Sequence, residues 1–193
     1  MDRLEILVEE PSIEEVLRVI LPKVLPVGWV LDVNCFIRHH DGKQDLQQSI
    51  PRKIRVASKK DITTGFIIVQ DQDNNDCHLL KSQLAGLCEE AQRGNRNVPY
   101  KVRIVCHELE AWYLGDMDAI ECVFPRFHAA HYRGKKKFRK PDDCVNPKKE
   151  LKNIVGDYGQ IATARQIAPH LDVERNISPS FRCFIDGLRQ MVD

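Results

Sequence analysis

Paired-thiol motifs are missing from this sequence. Its seven cysteines, Cys35, Cys77, Cys88, Cys106, Cys122, Cys144 and Cys183, include no CxxC, and their number is odd. That argues against a disulfide framework and for reduced thiols, several of them buried as small apolar groups. Long apolar runs are missing too. None approaches the ~20 residues needed to span a bilayer, and the acidic start MDRLEILVEE has no signal-peptide stretch. A cytoplasmic protein with no membrane association is the expectation. Net charge is also scarce: 29 basic and 28 acidic residues leave +1. Bulk charge therefore cannot draw in a polyanion, and any nucleic-acid surface must come from local segregation. Neither GxxxxGK[ST] nor GxGxxG occurs, so any ATP requirement points to an ATPase partner.

What is present is a chain of 193 residues, 42% hydrophobic and 30% charged, enough for one packed domain. Four short apolar runs read as strands: 4–8, 29–37, 66–69 and 102–106. Ser12 and Glu15 form a capping box for a helix after the first. Residues 45–60 carry a basic helix face. Leu80, Leu84, Leu87, Cys88 and Ala91 recur at helical spacing. Strands alternating with helices imply an α/β fold with a mainly parallel sheet. Past residue 115 no strand is evident, and segments within 150–193 read as helices, the last capped by Ser178 with Pro179 at its first position. The expectation is a single domain, 1–193, with an α/β core over 1–115 and a helical C-terminal extension over 116–193.

Chemistry enters through the placement of acids. The first strand ends at Glu9 and Glu10, and the third runs into Asp71 and Asp73. The fourth is followed by Glu108 and Glu110. In open α/β sheets, ligands bind beyond the carboxyl ends of the strands. Three acid-tipped strands there would gather carboxylates, the ligands of hard cations such as Mg²⁺ or Mn²⁺. One or two such ions can activate water and stabilise the leaving oxygen of a phosphodiester. Asp71 and Asp73 share one side if the chain stays extended. Glu108 and Glu110 diverge if it is helical, so that only one reaches the metal. The plainer reading makes some of these acids caps or first-turn residues; Glu10, Glu14, Glu15 and Asp76 fit it well. A calcium loop counted from Asp71 fails, because its sixth and twelfth positions are Asp76 and Ser82. A phosphatase with an aspartyl nucleophile leaves the other two strand ends unexplained.

RGKKKFRK, residues 133–140, is the local charge segregation sought above. Lys135, Lys136, Lys137, Arg139 and Lys140 suit a phosphate backbone, with Phe138 offered for base stacking; a solvated loop is the alternative. Arg175 is a weaker phosphate candidate. Cys122, His128, His131 and Cys144 match no usual zinc spacing. His39 and His40 read as solvent-facing, and Trp112 and Tyr113 as core.

The Glu-then-DxD pattern, with Glu9 in LVEEPS and Asp71 and Asp73 in VQDQD, resembles the Toprim domain. That domain occurs in topoisomerases, bacterial primases and overcoming-lysogenization-defect (OLD) nucleases. More closely, LEILVEEPS, DGKQDL, DQDNNDC, ELEAW and ARQIAPHLDVERNISPSF resemble blocks of an uncharacterised bacterial family of Toprim-like proteins. The resemblance implies Mg²⁺-dependent phosphodiester chemistry, often in defence settings and sometimes beside an ATPase. Two departures stand out. Glu10 replaces the glycine common after the first Glu, and Ile13 occupies the place of a second acid, with Glu14 one residue later.

The expected function is a metal-dependent nuclease acting on DNA or RNA. Asp71, Asp73 and Glu108 or Glu110 would ligate the ion, and Glu9 would serve as general base or second-metal ligand. The competing expectations are a non-catalytic partner subunit of an ATPase and a small-molecule phosphatase. Self-association is left open.

Overall fold

A computed structural model describes all residues, 1–193. Four strands, β1 (Arg3–Val8), β2 (Cys35–His39), β3 (Thr64–Asp71) and β4 (Tyr100–Val105), form one sheet in the order β2-β1-β3-β4, with every pairing parallel. Helix α1 (Pro11–Val24) links β1 to β2, α2 (Lys43–Ala57) links β2 to β3, and α3 (Cys77–Ala91) links β3 to β4. The chain leaves β1 in one direction for β2, then returns past it to β3. Right-handed crossovers then require α1 on one face and α2 and α3 on the other.

The core divides accordingly. Leu4, Ile6, Val8, Ile67 and Val69 pack with α1 in a cluster of 34 buried residues. Leu7, Phe66 and Ile68 turn the other way, into a cluster of 14 with α2 and α3. Alternate residues of one strand thus serve opposite layers. All eight residues of β3 are buried, as a central parallel strand requires.

The second half of the chain is helical: α4 (Glu110–Leu114), α5 (Met117–Val123), α6 (Ala129–Arg133), α7 (Pro147–Val155), α8 (Gln160–Ile167) and α9 (Pro179–Val192). These helices share the larger core with β1 and α1, through Trp112, Leu151, Ile167, Phe181, Phe184 and Leu188. Ser178 caps α9, its hydroxyl accepting from the Phe181 N–H at 3.2 Å. No helix is long and apolar enough to cross a membrane.

Three local expectations differ from the structure. The second strand begins at Cys35 rather than residue 29. Gly28 and Asn34 turn the preceding segment, with Asn34 Oδ1 accepting from Val30 N at 2.7 Å and its Nδ2 donating to Gly28 O at 2.8 Å. Ser12 lies inside α1, which starts at Pro11 with Glu10 as its N-terminal flank, so no capping box forms. His40 is buried, bonded to Val8 O at 2.9 Å and Ser49 Oγ at 2.6 Å. It clamps the carboxyl end of β1 rather than facing solvent.

Gly115 marks where α4 meets the segment entering α9. A Cβ there would come within 2.9 Å of the Ser178 backbone nitrogen and closer still to Asn176 Oδ1. Overpacking of this kind costs about 1–3 kcal/mol. Gly115→Ala is therefore expected to lower the urea midpoint with an unchanged m-value, whereas Gly86→Ala, with nothing nearby, leaves the midpoint unchanged or higher.

Candidate functional site

The reversal of chain direction at β1 makes the gap between β1 and β3 the switch point of this sheet, where ligands enter open α/β folds. Glu9 sits just past β1, and Asp71 is the last residue of β3. The two meet: Glu9 Oε2 accepts from Asp71 N at 3.1 Å. Both are 5% exposed, and Glu110 is 3% exposed. Gly42 N donates to Glu9 O at 3.2 Å, so the loop entering α2 fixes the residue from the other side.

Burial dominates the electrostatics. It pushes the Glu9 carboxyl up to about 7 from an ordinary 4.5, against the opposing pull of the Asp71 N–H and Lys43. Asp71 is raised well above the normal range, first by burial and then by the charges of Glu9, Glu10, Glu110 and Asp73. Burial also raises Glu110, although its Oε1 accepts from Tyr158 OH at 2.7 Å. Asp71 Oδ1 is buried with no hydrogen-bond partner, as is Tyr113 OH. An unpartnered buried carboxylate oxygen is costly, and several acids in one place amplify that cost.

The DQD segment turns rather than staying extended. Gln72 N donates to Val105 O at 2.9 Å and Asp73 N to His107 O at 2.8 Å, with Asp73 and His107 both at positive φ, 46° and 58°. Asp73 consequently leaves the side of Asp71 and pairs with Lys43, the first residue of α2. Lys43 is raised by Asp73, Glu9 and Asp71 against its own burial. It is the cation among these acids, and the sequence reading missed it. The signal was present: DGKQDL puts a lysine directly after a glycine at a helix start, on the carboxyl side of β2.

Glu108 and Glu110 separate as their spacing requires. Glu110 opens α4 and faces Asp71, whereas Glu108 Oε2 accepts from Lys148 N at 3.2 Å. Glu108 lines a polar pocket of about 250 Å³ together with Gln72, Asp73, Asn75, His107 and Asn146. Val145 lines both this pocket and a neighbouring groove of about 660 Å³ bounded by Lys136, Lys137, Arg139 and Lys140. Lys137 pairs with Glu150 and Lys140 with Asp143, leaving Lys136 and Arg139 without a carboxylate partner. Lys135 lies over the Tyr132 ring, 4.2 Å from its centroid.

Two residues depart from their expected roles. Phe138 is 1% exposed, because the only apolar side chain of a short 3-10 turn among lysines points inward; it cannot stack on a base. Arg175 makes a two-pronged bond to Asp116 at 2.7 and 2.9 Å and also faces Asp118 and Asp172. Its guanidinium ties these segments together and is occupied by carboxylates rather than offered to phosphate.

No three His, Cys, Asp or Glu side chains stand grouped as a chelating set; Lys43 supplies the positive charge instead. The donor chemistry nevertheless suits a hard cation. The groups are all oxygens, supplied from three strand ends, and one buried carboxylate oxygen has no other use. Glu9 and Asp71, with Glu110 behind them, are the residues that would hold it, and Asp73 would join them only on leaving Lys43.

These raised carboxyls set a pH dependence. Glu9, Asp71 and Glu110 bind protons more tightly folded than unfolded. The native state thus carries more protons, and stability falls as pH rises. Glu9 contributes fully below its ordinary value of 4.5, and that contribution is lost as pH passes about 7. In EDTA, the melting temperature should fall between about pH 5 and pH 8, and less steeply in Glu9→Gln. A rise over that interval, equal in both proteins, would contradict the assignment.

Fold and site together define a parallel α/β protein with carboxylates gathered at its switch point. The chain belongs to the family described as a domain of unknown function, DUF4276, whose model matches residues 8–189. Neither a curated protein nor a solved structure matches it.

Proposed function

We propose that this protein is a metal-dependent nuclease of Toprim-like design, hydrolysing phosphodiester bonds in DNA or RNA. The observation that carries the reading is the meeting of Glu9 and Asp71 at the switch point, with Asp71 Oδ1 buried and unpartnered. Glu9, whose carboxyl burial raises, is placed to take a proton from an attacking water. Lys136, Lys137, Arg139 and Lys140, with Lys135 at the end of the run, hold the nucleic-acid backbone in the groove that adjoins the polar pocket at Val145. Asp71 and Glu110, with Asp73 once released from Lys43, would hold Mg²⁺ or Mn²⁺, which would supply neutralising charge at the phosphoryl oxygens. The Toprim resemblance adds a setting in bacterial defence beside an ATPase partner. A phosphatase using Asp71 as nucleophile fits less well, because it leaves Glu9 and Glu110, buried beside that carboxyl, without a role.

Incubation with plasmid and with transfer RNA in Mg²⁺ or Mn²⁺ tests the proposal. The wild-type protein should cleave at least one of them, and Asp71→Asn/Asp73→Asn should not. Equal cleavage by both proteins would refute it. No cleavage under any condition, with stable capture of an ATPase, would favour the partner-subunit reading.

A further inference from the structure

A third cavity lies at the opposite end of the sheet, where β1 and β3 begin. It measures about 300 Å³ and is bounded by Arg3, Arg52, Lys53 and Lys60 around a single carboxylate, Glu5. That is the lower end of the range for small-molecule sites. Nothing in the nuclease reading uses it.

Its construction is specific. Glu5 Oε1 accepts from Arg3 at 3.0 and 2.8 Å, and Glu5 Oε2 accepts from Lys53 at 3.1 Å, so these cations are fixed on one wall. Arg52 and Lys60 have no carboxylate partner. Arg52 Nε is spent on Gln48 O at 3.1 Å, which orients the guanidinium and leaves its terminal nitrogens available. The loop carrying Lys60 and Ile62 is held from outside by Arg96, whose guanidinium donates to the carbonyls of Lys60, Asp61 and Ile62. Between the cations lies an apolar surface of Val56, Ala57, Ile62 and Phe66. Val56 and Ile62 are each 55% exposed, an unusual state for aliphatic side chains in a cavity lining.

Excess positive charge beside an exposed apolar floor selects a ligand with both an anionic end and an apolar body. A bare anion leaves Val56 and Ile62 wet, and an apolar molecule leaves Arg52 and Lys60 unpaired. We propose that this cavity binds a nucleoside phosphate, its phosphates on Arg52 and Lys60 and its base over the exposed side chains of Val56 and Ile62.

The test is calorimetric titration of the full chain with ADP and with inorganic pyrophosphate, both in EDTA so that the carboxylate site does not contribute. ADP should bind at one site per chain, at least tenfold more tightly than pyrophosphate. Arg52→Glu/Lys60→Glu should lose at least tenfold in ADP affinity. Lys60→Glu alone, in an exposed loop, should lose several-fold and guards against a folding defect in the double variant. Lys136→Glu/Lys140→Glu should bind ADP as wild type does. The proposal fails if ADP does not bind at millimolar concentration or binds no better than pyrophosphate. It also fails if affinity survives the Arg52 and Lys60 reversals or is lost with Lys136 and Lys140. None of these outcomes depends on nuclease activity.

Discussion

Glu9→Gln is expected to lower kcat/KM for nucleic-acid cleavage by about 10²–10⁴-fold, the usual worth of a positioned general base. The substitution keeps the shape and the acceptor oxygen that meets Asp71 N, so loss of fold is not the cause. The pH profile separates the base role from simple damage. Glu9 acts when deprotonated, so wild-type kcat/KM should rise with pH and level off once Glu9 is ionised, below the metal-free value of about 7 because a bound cation favours the carboxylate. In Glu9→Gln the residual rate should lose that rise. A variant that is slower but keeps the wild-type profile would assign the base elsewhere and leave Glu9 as a ligand or a positioning residue.

The largest stability loss should come from Trp112→Ala, about 3–5 kcal/mol by the usual cost of emptying a large aromatic site. Trp112 is 1% exposed. It packs edge-on against Phe181 at 5.2 Å and tilted against Phe184 at 5.6 Å, and its Nε1 donates to Ser180 Oγ at 3.0 Å. The same residue's carbonyl accepts from Asn176 Nδ2 at 2.8 Å. One side chain thus ties α4, which carries Glu110, to α9. Urea denaturation should show the loss directly. Trp112→Phe keeps an aromatic filler and loses one hydrogen bond to Ser180 Oγ, which retains Ser178 Oγ at 3.2 Å, so it should cost about 0.5–1.5 kcal/mol for that bond. Equal midpoints for Trp112→Ala and wild type would mean that α9 is not held at this point.

The alternation of strands and helices was legible in the sequence because short apolar runs and helical spacings survive in a small parallel sheet. Glu9 and Asp71 were legible as well, since both follow directly from strand ends. Lys43 was not, because its partner Asp73 lies thirty positions along the chain and is delivered by a turn that spacing alone does not reveal. The left-handed backbone at Asp73 and His107 likewise escaped a reading that assumed an extended DQD. Tyr158 and Tyr113 reach the acids only through packing of the helical half, where local pattern gives helices but not their neighbours. Phe138 misled for a related reason: a charged run hides one residue that the core claims.

The paired turns at positions 73 and 107 leave a rule for reading related chains. Each holds a non-glycine residue at positive φ, joined by one main-chain bond. Side chains branched at Cβ are poorly tolerated in that conformation. A relative carrying valine, isoleucine or threonine at position 107 has rebuilt this loop, whatever acids it keeps, whereas glycine or asparagine there marks a chain in which the same hairpin of loops survives.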